Sequence, residues 1–272
     1  MRTLILLPLV VLGFAFPCRA WAQTAADSLY PLRSLDRPTT LPRRAARLDL
    51  IALGSHQESS PTGASLIIGG GLGVTKSLED GGQVIPVSLA PGSVEFLTPS
   101  LYVTYALSAG KASIAPIAQA VFPARDSDPF FWDLAVSVDV PVGSAGNLAL
   151  APTISVDTRE SGLGTTMAIP VTYTRQVTPN FSWQIASGFG LSRFDPRFGI
   201  SRRSQVFDFN DETIPLSVTA LYSVARRGTG HPIADLIAQW PWPQLYSRVR
   251  NAGSVVGSDW GLQLQVSLYR LP

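Results

Sequence analysis

The chain has 272 residues, of which 46% are hydrophobic and only 15% charged, with 23 Gly, 22 Pro and a single Cys. This composition excludes an intrinsically disordered chain, because disorder requires low hydrophobicity and high net charge. One Cys can neither close a disulfide bond nor build a zinc–thiolate site, and a formal net charge of +2 gives no reason to expect nucleic acid as a partner.

The first 22 residues predict a Sec signal peptide. Arg2 is followed by an apolar run from Leu4 to Phe16 and then by Ala20-Trp21-Ala22, which is a small-x-small cleavage pattern. Lipoprotein processing at Cys18 is the alternative, although the residue before this cysteine fits it poorly. Cleavage after Ala22 would remove Arg2, Arg19 and the only cysteine, so the mature chain would carry 19 basic and 19 acidic residues. We therefore expect a neutral, cysteine-free mature protein.

Beyond residue 43 the dominant sequence pattern has a period of two, in which apolar residues alternate with Ser, Thr, Gln, Gly and Asp. Such alternation is typical of β-strands whose two faces meet different surroundings, and no window reaches the 18 or so apolar residues of a transmembrane helix. In chain order the clear segments are 97–105, 130–140, 148–157, 166–174, 181–192, 216–223 and 260–269, and the weaker ones are 46–55, 64–74, 79–89, 111–122 and 230–241. Together they predict twelve strands, or 10 or 14 if weak segments are merged or split.

The connections between these segments alternate in length. The short turns lie at 74–77, 109–110, 143–146, 178–180 and 227–230. The longer polar connections lie at 56–63, 90–95, 123–129, 159–163, 195–210 and 242–257. Short turns on one side and long loops on the other are typical of an antiparallel transmembrane β-barrel in a Gram-negative outer membrane. An even strand count places both chain ends in the periplasm. We therefore expect residues 23–43 to form a Pro-containing periplasmic tail without a regular fold, and 44–272 to form the barrel.

The character of the two strand faces favours a membrane barrel over a soluble one. The non-apolar face has almost no Lys and few charges, so it is a poor water-facing surface but a suitable lining for a narrow, wet lumen. Aromatic residues near the predicted strand ends are candidates for the membrane interface. They are Trp132, Tyr173, Trp183, Tyr222, Trp240 and Trp260. A secreted lipocalin-like barrel or β-sandwich is the alternative, because alternating segments also occur in soluble antiparallel sheets.

Two predicted hairpins carry a family resemblance. Residues 73–79 read Gly-Val-Thr-Lys-Ser-Leu-Glu and are followed by Gln83-Val84-Ile85-Pro86-Val87, and residues 173–181 read Tyr-Thr-Arg-Gln-Val-Thr-Pro-Asn-Phe. Both resemble turns of small outer-membrane barrels, including the putative transporter family linked to the meta-pathway of phenol degradation. The resemblance implies a barrel fold. For an outer-membrane barrel we expect outer-membrane lipid, lipopolysaccharide and the barrel assembly machinery as partners. The chain departs from many such barrels, which end on an aromatic residue read by that machinery, because it ends on Pro272.

The sequence offers no catalytic constellation. Its only histidines are His56 and His231, neither lies in a His-x-Ser pair, and the acidic Asp126-Ser127-Asp128 has no histidine beside it. The run Gly69–Gly73 lacks the Lys-Ser/Thr and the helix of a phosphate-binding loop. We therefore expect no enzyme activity, no catalytic residue, no metal and no cofactor.

Strand parity identifies candidate lumen-lining residues. Inward-facing charges in a barrel either pair into an internal network or act as a selective filter, and the sequence leaves both open. The candidates are Arg47, Asp49, Asp133, Asp139, Asp157, Gln184, Asp235, Gln263 and Gln265. The sequence thus predicts a monomeric outer-membrane barrel that passes small solutes passively, without identifying the solute. The alternative is a structural or adhesive barrel with a closed lumen and partner-binding surface loops.

Overall fold

The computed structural model describes residues 30–57, 60–90, 93–96, 99–109, 111–123, 130–157, 165–191, 216–228, 230–242 and 260–272. The predicted signal peptide, residues 23–29 of the predicted tail and the predicted connections 159–163 and 195–210 lie outside these residues. Most of the connections 123–129 and 242–257 also lies outside them. Within the described part, no helix is long and apolar enough to cross a membrane.

Twelve strands follow one another along the chain, and two of them are interrupted. Strand β4 consists of three pieces, Ser93–Phe96, Ser100–Tyr105 and Leu107–Ala109, which together lie between β3 and β5. Strand β7 consists of two pieces, Gly146–Leu150 and Thr153–Asp157, which both lie between β6 and β8. The others are β1 (Ala46–Gln57), β2 (Ser60–Gly73), β3 (Leu78–Ala90), β5 (Ala112–Val121), β6 (Phe131–Val142), β8 (Thr165–Thr178), β9 (Phe181–Leu191), β10 (Leu216–Ala225), β11 (Pro232–Trp242) and β12 (Trp260–Arg270). In the described residues before β1 there is one 3-10 turn, Ser34–Asp36.

The strands form one closed antiparallel barrel. Each strand pairs with the next along the chain, and β1 pairs with β12 from Ala46↔Arg270 to His56↔Trp260. Because the first and last strands pair, every described strand has a neighbour on both sides, which is the arrangement that a sheet in lipid requires. The fold class and the number of strands predicted from the sequence are confirmed.

The barrel is apolar outside and polar inside. Leu134 and Leu264 are both 51% exposed, whereas Asp49 and Asp235 are only 7% and 1% exposed. Because paired residues on neighbouring strands share a face, the alternation within each strand builds two continuous surfaces. A soluble barrel would have the opposite polarity, so the apolar exterior favours a membrane environment.

The two ends of the barrel differ in their connections. We call the end of the barrel at residues 74–77, 143–145, 179–180, 226–228 and 230–231 the turn end, and the opposite end the loop end. Two connections at the loop end are shorter than predicted. Strands β1 and β2 extend through most of the predicted connection 56–63, and β3 and the first piece of β4 extend through most of 90–95. Ser, Gly and Pro obscure the alternation there, but backbone pairing does not require it.

Candidate functional site

The interior of the barrel holds most of the predicted lumen residues. Eight of the nine have described side chains, and these lie on the face opposite the exposed apolar residues. Gln184, for example, pairs in register with Thr219 and Thr174, which are both buried. Asp157 ends the second piece of β7, and its side chain lies outside the described set.

A network of charged groups joins the β1, β3, β4 and β12 walls of the interior. The Nε of Arg47 donates to Asp49 at 2.9 Å, and the hydroxyl of Ser267 donates to the other oxygen of Asp49 at 2.6 Å. Arg47 also donates to the hydroxyl of Tyr102 at 3.1 Å, which in turn donates to Glu79 at 2.6 Å. Each buried charge is thus both paired and hydrogen-bonded, the condition under which buried ions are tolerated.

Glycines leave room for this network. A Cβ added to Gly71 would lie 2.6 Å from Oε1 of Glu79 and 2.8 Å from the hydroxyl of Tyr102, and one added to Gly81 would lie 2.6 Å from the same hydroxyl. The glycines at 71 on β2 and 81 on β3 therefore leave space for the side chain of Tyr102 at the inner wall.

The chain that precedes β1 crosses the interior at the turn end. We call residues 30–45 the strap. Its contacts reach strands or turns on several sides of the barrel, and the side chains it meets on the strands belong to the inner face. These contacts are Tyr30 with His231, Arg33 with Ser144, Ser34 with Gln176 and Ser182, Arg37 with Ser223 and Asp235, Thr39 with Ser113, and Leu41 with Glu79.

Arg37 anchors the strap to β11. Its guanidinium forms an ion pair with Asp235 through both carboxylate oxygens and donates to the hydroxyl of Ser223 at 2.9 Å. The same group lies 5.1 Å from the ring centroid of Tyr30 and 5.7 Å from that of Tyr269. Burial lowers the pKa of Arg37, but the hydrogen bond and the charge of Asp235 more than offset this, so the pKa is raised and the group stays charged.

The second half of the strap is tied to β2 and β3. The backbone N–H of the fully buried Leu41 donates to Glu79 at 2.8 Å, and the N–H of Arg44 donates to the carbonyl of Gly73 at 2.6 Å. Arg44 adopts a left-handed φ of 67°, the only positive φ of a non-glycine residue in the described part of the chain. A Cβ on Gly73 would collide with the carbonyl oxygens of Pro42 and Leu41, so this position requires glycine.

Two interior carboxylates lack a cationic partner. Asp139 accepts hydrogen bonds from Ser137 at 3.2 Å and Asn147 at 3.1 Å. Asp133 lies in register with Gln119 and Ser155 near the loop end. Among the described residues neither Asp133 nor Asp139 forms a salt bridge, whereas Arg37 and Arg47 both do. The described interior is therefore net negative.

The predicted interface aromatics fall near both ends of the barrel. Trp132 and Trp240 are exposed near the loop end, and Tyr222 is exposed near the turn end. Tyr173 and Trp183 also lie near the turn end, with ring centroids 5.8 Å apart. Trp260 begins β12 at the loop end, and its side chain is outside the described set. Their contact with a membrane interface remains a prediction.

Only one of the chain's two histidines has a described side chain. The Nδ1 of His231 lies 3.0 Å from the carbonyl oxygen of Tyr30, which gives this histidine a contact with the strap. The side chain of His56 is outside the described set. Within the described residues no group of three or more His, Cys, Asp or Glu is placed to hold a metal ion.

Sequence reasoning did not find the strap or the roles of Arg37, Glu79 and Tyr102. Arg37 lies in a Pro-containing segment that has the composition of a linker, and its partner Asp235 is 198 residues away. The one available signal was the cluster of charged residues on an inner strand face at 47, 49 and 79, in a chain with few charges.

No protein-family model and no curated protein sequence matches the chain. Among solved structures, the NanC porin superposes with a TM-score of 0.57 at 10% identity, covering 81% of this chain and 98% of its own. The COG4313 outer membrane channel from Pseudomonas putida F1 superposes with a TM-score of 0.56 at 13% identity, and the match covers 92% of this chain and 100% of the channel. The KdgM porin in complex with disordered oligogalacturonate superposes with a TM-score of 0.52 at 10% identity, and the match covers 81% of this chain and 98% of the porin. At such low identities the likeness concerns the fold: this chain has the barrel fold of small porins and outer-membrane channels.

Proposed function

We propose that the chain is an outer-membrane channel through which small solutes pass passively, and that the strap narrows its periplasmic mouth. The observation that carries this proposal is a polar, net-negative interior enclosed by an apolar exterior. A barrel stabilised only by a dry core would have no need for a carboxylate such as Asp133, which forms no ion pair within the described residues. The proposal assigns the protein no catalytic role.

The proposed orientation places the turn end in the periplasm. Bacterial outer-membrane barrels have short periplasmic turns and longer extracellular loops, and both ends of the described chain lie at the turn end. Strands of 10 to 14 residues, such as β5 and β2, are long enough to cross the hydrocarbon layer when tilted. The predicted Sec signal peptide is consistent with export to this location.

The interior charges support a preference among solutes. Arg37 and Arg47 are held in ion pairs, whereas in the part of the chain that the structure describes Asp133 and Asp139 contact no cationic side chain. Rings or clusters of carboxylates attract cations and disfavour anions. We infer that the channel favours small neutral or cationic polar solutes.

The two hairpins that resemble the phenol meta-pathway transporter family have a shared turn chemistry. The hydroxyl of Thr75 accepts from the N–H groups of Ser77 and Leu78 at 3.2 and 3.0 Å. In the second hairpin the hydroxyl of Thr178 accepts from the N–H of Phe181 at 3.1 Å. A threonine that caps the turn explains why the motif contains this residue, and it supports, as part of the proposal, a relation to that family.

Planar-bilayer recording of the purified chain tests the channel directly. We expect discrete, small conductance steps, because the strap leaves only part of the mouth open, and a reversal potential in a salt gradient that indicates cation preference. Heat-modifiable gel mobility of the same sample would establish that the barrel is folded. Folded protein in a bilayer that stays electrically silent would contradict the proposal.

A structural or adhesive barrel with a closed lumen is the second candidate, and the strap is the observation that favours it. Its contacts with β3, β5, β8, β9, β10 and β11 would suit a permanent seal as well as a constriction. Deletion of residues 30–41 separates the two candidates. A sealed wild type and a conducting deletion variant would indicate a closed barrel, whereas conductance of both would indicate a channel.

A further inference from the structure

On the side formed by β1, β10, β11 and β12, the described part of the barrel has a recess on its outer surface and a second recess at the turn-end rim. The larger is a groove of about 530 Å³ in the apolar band. Among the residues that line it are Ala52, Ala220, Ala238, Leu50, Leu236 and Leu264. Ala238 pairs in register with Ala220 on one side and Leu264 on the other, and Leu264 pairs with Ala52. Three alanines in one row, next to exposed leucines, account for the depression.

The second recess has a volume of about 350 Å³ and lies at the turn end of the same strands. Arg226, Arg270 and Ile233 line it and are exposed, and His231, the buried Pro232 and Tyr269 line its inner side, where the strand ends meet the strap. The recess therefore combines two guanidinium groups with an apolar wall.

The two recesses are aligned along β11 and β12. Six residues separate Arg270 from Leu264, which corresponds to about 20 Å along the strand. Between them lies the register pair Ala234↔Leu268, where Leu268 is exposed and the alanine leaves space beside it. A long, thin molecule with its polar end at the arginines would reach the groove along this path.

We propose that the two recesses together bind one anionic phospholipid. The phosphate would lie at Arg226 and Arg270, and an acyl chain would pass Ala234 into the alanine-lined groove. Arginine forms strong bidentate hydrogen bonds with phosphate, and paired basic residues at a membrane surface attract anionic headgroups. Charge complementarity at one end and an apolar groove within the membrane band at the other match a lipid. In the proposed orientation the lipid belongs to the periplasmic leaflet, and only that detail rests on the proposed function.

Native mass spectrometry of the full chain, released from detergent after addition of phosphatidylglycerol, tests this site. We expect one retained phosphatidylglycerol per barrel and much weaker retention of phosphatidylcholine, whose headgroup carries no net charge. The double variant Arg226→Gln/Arg270→Gln should lower retention on the order of tenfold, because two charge-assisted contacts are lost. Ala238→Phe should lower it as well, because the ring fills the groove.

Matched variants elsewhere on the barrel serve as controls. Arg175→Gln/Arg227→Gln removes the same charge from other exposed positions at the turn end, and Ala118→Phe adds the same ring to an exposed alanine on β5. Both should retain the lipid like the wild type. Equal loss in a control and in its test variant would overturn the proposal, as would equal retention of the two lipids. A dimer that disappears in Ala238→Phe would assign the groove to a second copy of the chain instead.

Discussion

The two ends of the barrel interior are built differently. At the turn end the ion pair Arg37–Asp235 joins the strap to the wall, and the ion pair Arg47–Asp49 lies on β1. There Asp139 is hydrogen-bonded to Ser137 and Asn147, and the strap crosses the space between the walls. At the loop end Asp133 lies beside Gln119 and Ser155 without an ion pair among the described residues. Unpaired carboxylates require water, whereas buried ones require partners. The difference indicates a packed constriction at one end and a solvated vestibule at the other.

The largest expected effect comes from breaking the anchor of the strap. Asp235→Ala leaves the buried guanidinium of Arg37 without its counter-charge, which should lower the free energy of unfolding by about 3–5 kcal/mol. Urea unfolding in detergent, followed by heat-modifiable gel mobility, measures the loss. Asp133→Ala is the matched control at the loop end and should change it by less than about 0.5 kcal/mol. A similar loss of unfolding free energy in both variants would contradict the distinction between a packed turn end and a solvated loop end.

A smaller effect should follow from crowding the strap where it passes β2. Gly73→Ala places a methyl group against the carbonyl oxygens of Pro42 and Leu41, so the strap must move at a cost of about 1–3 kcal/mol. Limited trypsin digestion should then cleave after Arg33 faster than in the wild type, whereas the Arg37–Pro38 bond resists trypsin in both. Gly54→Ala is the control, since a Cβ there meets nothing within 4 Å. An unchanged cleavage rate in Gly73→Ala would contradict the packing described for the strap.

Charge selectivity should change more modestly. Asp133→Asn/Asp139→Asn removes the two interior carboxylates that lack a cationic partner, and we expect the cation-to-anion permeability ratio to fall on the order of twofold. Reversal potentials in a salt gradient measure this ratio. Asp80→Asn is the control, because Asp80 is exposed and lies on the strand face opposite the buried Glu79. A fall of equal size in the control would assign selectivity to the overall charge of the barrel.

The smallest effect concerns the backbone where the strap enters β1. Arg44 has a left-handed φ of 67°, so Arg44→Gly should relieve strain and raise the free energy of unfolding by up to about 1 kcal/mol. Arg43→Gly, at the neighbouring exposed position, should be neutral or slightly destabilising. Thermal unfolding of both variants in the same detergent compares them.

The strands were predictable from the sequence and the strap was not, for one physical reason. A period-two pattern such as Trp260 to Leu268 is local, and the register then gives neighbouring strands the same two faces. Parity alone was sufficient to put Asp49 and Asp235 on the inner face. The partner of Asp235 is Arg37, and that pair depends on barrel closure bringing residues 198 positions apart together. No local pattern in residues 30–45 encodes it.

The most direct test of the strap as the constriction is a disulfide that fixes it to the wall. The hydroxyls of Ser34 and Ser182 are 3.0 Å apart, and the only cysteine of the chain, Cys18, lies in the predicted signal peptide. Single-channel conductance should be recorded for Ser34→Cys/Ser182→Cys before and after reduction, and for the variant lacking residues 30–41. We predict that the oxidised protein stays at the lowest conductance, that reduction restores the wild-type level, and that the deletion variant conducts several-fold more. Equal conductance in all three states would show that the strap does not control passage.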